Sequence, residues 1–156
     1  MSALVARACA GLIGSVNVSW EELSVQMAAR TVQLAGGFTP GTGAVSPAAT
    51  ARVTRAVRRI ERDPGDGLSL SELAREARLS PYHFLRTFQR LTGVTPHQYV
   101  LRTRLREAAT RLAAEPGRVA NVAFDSGFGD VSNFNHAFRA EFGVSPRVYR
   151  QNSLMR

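Results

Sequence analysis

Apolar residues recur every third or fourth position through most of this chain, the spacing of a single helix face. Helix breakers cut the pattern into pieces. Trp20, Leu23, Met27 and Leu34 fall on roughly one face of a helix opened by Ser19, with Glu22 at capping-box spacing and Gly36-Gly37 as its stop. That face needs a partner surface, and the stretch FTPGTGAVS after it reads as a linker. Ser46-Pro47 starts a helix with Ala49, Val53, Ala56, Val57 and Ile60 on one side. Arg52, Arg55, Arg58, Arg59 and Arg62 fill the rest of its circumference, and Asp63-Pro64-Gly65 ends it. Ser69 and Glu72 form a second capping box ahead of Leu73, Ala74 and Ala77. After the turn Ala77-Arg78-Leu79, Ser80-Pro81 begins a helix reaching about Leu91. Thr95-Pro96 opens a long helix to about Ala114, striped by Leu101, Leu105, Ala108 and Leu112 and broken by Glu115-Pro116-Gly117. Val119–Asp125, the turn Ser126-Gly127-Phe128-Gly129, a helix over 131–142 capped by Asp130, and a last helix from Ser145-Pro146 to near Arg150 complete the series. No stretch alternates in the manner of a strand, so the spacing predicts an all-α fold.

The helices repeat. SPYHFLRTFQRLTGVTPHQY, Ser80 to Tyr99, is answered by DVSNFNHAFRAEFGVSPRVY, Asp130 to Tyr149. Phe84, Phe88, Gly93, Val94, Pro96 and Tyr99 match Phe134, Phe138, Gly143, Val144, Pro146 and Tyr149 at an offset of 50. Upstream, Ala74 and Leu79 match Ala123 and Phe128 at an offset of 49, which places one extra residue in the second turn, near Gly129. One supersecondary unit is therefore used twice, which is too few copies for a solenoid.

Each copy reads as two short helices around a tight turn, a helix-turn-helix over about 69–92 and 118–143 whose second helix suits a major groove. The long helix between them spans about 28 Å at 1.5 Å per residue, against roughly 34 Å for one turn of B-DNA. Both second helices are thus expected to reach successive major-groove segments on one face of a duplex.

Charge strengthens that picture. The chain of 156 residues carries a net charge of +8 with no lysine; residues 1–47 hold two arginines against two glutamates, so the whole excess lies with the repeat. A GC-rich coding sequence would explain arginine in place of lysine but not the surplus, which suits a polyanion through counterion release.

On these residues, the region 48–150 resembles the DNA-binding domain of the AraC/XylS family of bacterial transcription regulators. The resemblance is carried by Leu73-Ala74, Ser80 to Phe84, Arg86, Phe88, Thr92-Gly93 through Pro96 and Tyr99. It continues through Arg104-Leu105, Ala108, Leu112, Ala123, Gly127-Phe128, Asp130, Phe134, Phe138, Gly143 to Pro146 and Tyr149-Arg150. It implies a seven-helix domain over 46–152 that binds an asymmetric promoter site in double-stranded DNA, typically as an activator recruiting RNA polymerase.

In the first recognition helix Tyr82, His83, Leu85, Arg86 and Arg90 are expected to face bases, with Phe84 and Phe88 inward. Arg86 leads this set, because a guanidinium can bond guanine O6 and N7 together. Leu85 offers apolar contact to a thymine methyl. In the second helix the matching face is Val131, Ser132, Asn133, Asn135 and His136, where His136 stands at a position suited to arginine. This unit is expected to read bases more weakly, and the first to carry more of the specificity. Phosphates fall to Arg90, Arg102, Arg139, Arg147 and the helix starts at Ser80 and Ser145. Arg104, on the spacer helix, is expected to make a structural ion pair, and Asp130 to be a cap.

Other classes find little support. His83, His97 and His136 are scattered without metal-ligand spacing, no phosphate-binding glycine loop occurs, and Cys9 is alone, which leaves no cysteine zinc site and none of the cysteine cluster of alkyl-transfer repair proteins. No enzyme activity, cofactor or metal is expected, and no small-molecule effector. RNA-binding sheet aromatics are missing, and no RNA-clamping GXXG loop is expected. The opening MSALVARACAGLIG is too short to span a membrane and lacks the order of a signal peptide, so a cytoplasmic protein is expected. Residues 1–45 read as an extension whose one helix, about 19–35, resembles the last helix of a sensor or dimerisation domain. A stand-alone regulator, a truncated product and a fragment stripped of its effector input all fit. The rival is a protein acting mainly through another protein, by way of Trp20, Leu23 and Met27.

Overall fold

A computed structural model describes residues 19–35, 46–65 and 68–154. Those residues form eight helices: α1 Trp20–Leu34, α2 Pro47–Arg62, α3 Leu70–Glu76, α4 Pro81–Thr92, α5 Pro96–Ala114, α6 Val119–Asp125, α7 Val131–Phe142 and α8 Pro146–Leu154. No strand occurs among them, as the spacing predicts. The last helix runs four residues beyond its expected end. Residues 1–18 with Cys9, and the expected linker over 38–45, lie outside the described residues.

The chain divides into two compact units. The first holds α1, α2 through Arg59, α3 and α4; the second holds the end of α2 from Ile60 and everything from Gln98 onward. In the first unit Val53, Ala56, Leu70, Leu73, Ala74, Phe84, Leu85 and Phe88 are buried, and α3 packs on α4. In the second, Leu105, Ala108 and Leu112 of α5 join Val122, Ala123, Phe128, Phe134 and Phe138 in one core. Phe134 meets Phe128 edge-on at 5.0 Å between ring centroids, and Phe138 meets Tyr149 edge-on at 5.4 Å. These phenylalanines are core residues by their spacing and in fact.

The repeat extends to the turns. Ala77, Arg78 and Leu79 return hydrogen bonds to Leu73, Arg75 and Ala74; Ser126, Gly127 and Phe128 do the same to Val122, Phe124 and Ala123. Arg78 and Gly127 hold the matching left-handed position, at φ 51° and 79°. The inserted residue falls after it, between Phe128 and Asp130. Ser69 and Glu72 complete their capping box, and the α4 and α7 helices both end at a left-handed glycine, Gly93 and Gly143.

Arg104 has the structural role expected of it, and backbone carbonyls are among its partners. Its Nε donates to Pro64 O at 2.6 Å, Nη2 to Gly65 O at 2.8 Å and Nη1 to Gly127 O at 2.8 Å. One guanidinium thereby ties the end of α2 and the α6–α7 turn to α5.

α1 departs most from its expectation. Leu23 is buried, but Trp20, Met27 and Leu34 are 50%, 41% and 62% exposed. The helix instead meets the first unit through the neighbouring face. Glu21 accepts from the Leu70 and Ser71 amides, both at 2.8 Å, and from the Ser71 hydroxyl, so it sits on the α3 N-terminus. Glu22 is 2% exposed and accepts from the His97 amide at 2.7 Å, at the start of α5. The expected capping box at Ser19 is therefore one-sided. Ser19 Oγ accepts from Glu22 N at 3.3 Å, while the Glu22 carboxylate turns to His97. A buried carboxylate is costly unless it is hydrogen-bonded, and a helix N-terminus offers both donors and a favourable dipole.

Candidate nucleic-acid interface

Each candidate reading surface is built on the second helix of a helix-turn-helix. α4 starts sharply because Ser80 Oγ accepts from His83 N at 3.3 Å and Pro81 presets the first turn. Phe84 and Phe88 anchor its inner side. His83 and Arg90 are exposed, while Tyr82 and Arg86 are half-buried. Leu85 corrects the expectation of exposure: it is 2% exposed. The residue after Phe84 flanks the core stripe, and α1 packs along α4. Gln33 at the end of α1 donates from Nε2 to the Tyr82 hydroxyl at 3.0 Å.

α7 is capped by Asp130, whose Oδ1 accepts from Asn133 N at 2.7 Å, as the spacing predicts. Phe134 and Phe138 anchor it in the same way. Its outer face is open: Ser132, Asn133, Asn135 and His136 are exposed and Val131 is half-buried. Val131, Asn135, His136 and Arg139 come together with Ser145, Pro146 and Arg147 of α8 around a depression of about 420 Å³. Six candidate base or phosphate contacts that the sequence could only place on separate elements thus share one concavity. Ser145 Oγ accepts from Val148 N at 3.4 Å, which leaves the α8 N-terminus beside Arg139 and Arg147. Arg102 lies apart from this group and pairs with Glu141 of α7 at 3.6 Å.

Sequence reasoning passed over Gln89, which shares its face with Tyr82 and Arg86 and matches Arg139 at the offset of 50. The repeat itself was the available signal. It also passed over Glu21 and Gln33, whose partners lie about 50 residues away and leave no local spacing to read.

Two anchored recognition helices, each presenting a polar outer face after a tight turn, define a double helix-turn-helix DNA-binding domain. Residues 73–152, about half of the chain, match the helix-turn-helix domain family. The chain belongs to the AraC/XylS family of transcription regulators. It is 35% identical over 101 residues to the transcriptional activator RhaS of Escherichia fergusonii, covering 65% of this chain and 36% of RhaS. It is 32% identical over 100 residues to the regulatory protein PocR of Salmonella typhimurium, covering 64% and 33%. The aligned part spans about a third of the length of these relatives. Among solved structures, the C-terminal domain of AraT from Geobacillus stearothermophilus superposes with a TM-score of 0.62 at 25% identity, over 70% of this chain and 88% of that one. The DNA-binding domain of AdpA, solved with a target DNA, superposes with a TM-score of 0.57 at 28% identity, over 69% and 93%.

Proposed function

We propose that the chain is a sequence-specific regulator that inserts α4 and α7 into successive major-groove segments of an asymmetric promoter site. The observation that carries this reading is the α7 face, where Asn135, His136 and Arg139 stand exposed beside Ser145 and Arg147 in one concavity. A groove edge there meets amide and imidazole groups suited to bases, with guanidiniums placed for the flanking phosphates. On α4, Arg86 is the leading base reader, with Tyr82, His83 and Arg90 beside it. The DNA-bound AdpA domain supports this use of the fold. Activation through RNA polymerase is the fuller role that RhaS, an activator, suggests.

The test is selection of duplexes from a random pool at moderate salt. A preferred site of roughly 20 base pairs is expected, with affinity falling steeply as salt rises. Absence of any enriched motif would remove sequence-specific regulation. In the selected site, Arg86→Ala should relax preference at one base pair by about 1–3 kcal/mol, and Arg147→Ala should weaken all sequences alike.

A further inference from the structure

We propose that α1 is an autoinhibitory strap on the first unit, docked over the reading face of α4 so that DNA and α1 compete for it. The inference rests on the reading that α4 contacts DNA.

The repeat supplies an internal comparison. Positions 82, 85, 86 and 89 share the reading face of α4, and positions 132, 135, 136 and 139 are their equivalents on α7. All four on α7 are exposed. On α4, Leu85 is buried and Tyr82, Arg86 and Gln89 are each half-buried. The two helices have the same length, cap type, phenylalanine anchors and glycine stop, so helix geometry does not separate them. The difference is α1, which packs on α4.

Four features hold the strap down. Glu21 bonds both free amides at the start of α3 and the Ser71 hydroxyl; Glu22 is buried and accepts from the His97 amide; Leu23 is buried; and Gln33 bonds the hydroxyl of Tyr82. A leucine at position 85 fits this account. It is poor chemistry for reading base edges, but it is good chemistry for a helix to rest on. Asn135 at the equivalent place on the open helix is the reverse.

The test compares the full chain with a strap-weakened variant, Glu21→Ala/Leu23→Ala/Gln33→Ala, on the selected duplex. Apparent affinity scales with the open fraction, so a strap closed in about nine of ten molecules gives about tenfold tighter binding on release. Gln33→Ala alone is charge-neutral and should tighten binding in the same direction. Glu107→Gln, which removes an exposed charge elsewhere, serves as the control for electrostatics. A second measurement needs no variant: on adding the duplex to the unaltered chain, amide exchange should quicken along α1 while it slows along α4. Equal affinities, or an α1 that stays protected in the complex, overturn the strap and leave DNA reading intact. Failure of every form to bind any duplex overturns both.

Discussion

The Arg104 guanidinium should be the strongest single polar determinant of stability in the second unit. Its three bonds, at 2.6, 2.8 and 2.8 Å, run to backbone carbonyls of Pro64, Gly65 and Gly127. Arg104→Met keeps most of the aliphatic stem and removes all three. A hydrogen bond to a charged group contributes about 1.5–3 kcal/mol. These carbonyls are only part-buried and water can replace some of the loss, so about 1 kcal/mol each, or about 3 kcal/mol in all, is the better figure. That corresponds to a fall in Tm of roughly 6–12 °C for a chain of this size. Thermal and urea unfolding followed by circular dichroism would measure it, and a loss below about 1 kcal/mol would refute the reasoning.

Gly127 makes the test sharper. A methyl group there would lie 3.0 Å from Arg104 Cζ and 3.1 Å from Nε, and the residue sits at φ 79°. Gly127→Ala therefore carries two costs: about 1 kcal/mol for the left-handed backbone, and a second from crowding the guanidinium. Only the first should survive when Arg104 is already methionine. The double-mutant cycle should show coupling of about 1 kcal/mol, and additivity within about 0.3 kcal/mol would mean the guanidinium simply gives way. Arg78, at the matching turn of the first unit with φ 51°, shows that a non-glycine residue can hold this position.

Three further outcomes follow from the same geometry. Phe138→Ala should cost about 3–5 kcal/mol in urea unfolding, because the ring is fully buried against Phe134 and Tyr149 and leaves a cavity. Asp130→Ala removes the α7 cap bond and should cost about 1 kcal/mol, with Asp130→Ser recovering most of it. Tyr99 donates to Glu61 at 2.7 Å, and burial, then the Glu61 bond, raise its pKa above the ordinary 10.0. The neutral phenol is the form the fold favours, so its stabilisation is complete below pH 10.0 and is lost as pH rises through the raised value. Urea midpoints on either side of that range should show the loss in the native chain and not in Tyr99→Phe.

Much of the fold was legible because its signals are local. Capping boxes, Ser-Pro helix starts and glycine stops act within four residues, and helix boundaries came out close to those observed. The repeat carried the rest: phenylalanines at an offset of 50 identified both cores, and the single inserted residue was located in the correct turn. What was not legible depends on partners distant in sequence. Ser19 and Glu22 have capping-box spacing, yet the Glu22 carboxylate bonds the His97 amide 75 residues away. Arg104 is structural as its position suggests, but its bonds to the carbonyls of Pro64, Gly65 and Gly127 leave no pattern in a sequence. Trp20, Met27 and Leu34 looked like a buried stripe because periodicity reports which residues share a face, not which face is covered.

Leu85 joins these two kinds of failure. Within α4 its position is one turn from Tyr82 and next to Arg86, so helical spacing alone puts it on the reading face, as the repeat puts Asn135. It is buried on a helix against which α1, beginning 65 residues earlier, packs. On the proposed reading the chemistry of α4, with an arginine, a tyrosine and a histidine, is the stronger base-reading set, and that of α7, with asparagines and a histidine, the weaker. Accessibility runs the other way: α7 is open and α4 is partly covered. On the strap proposal the two asymmetries have one consequence. A duplex can engage the weaker, open helix first at no conformational cost, held mainly by phosphate contacts from Arg139 and Arg147. Displacement of α1 is then driven only by a sequence that gives Arg86 its base, since a site lacking that base returns nothing for opening the strap. Discrimination in the strapped chain is then at most the roughly 1–3 kcal/mol that one bidentate arginine supplies, because a mismatched duplex is still held through α7 with the strap closed. The measurable sign is that strap-weakened protein should gain more affinity for the matched duplex than for mismatched ones.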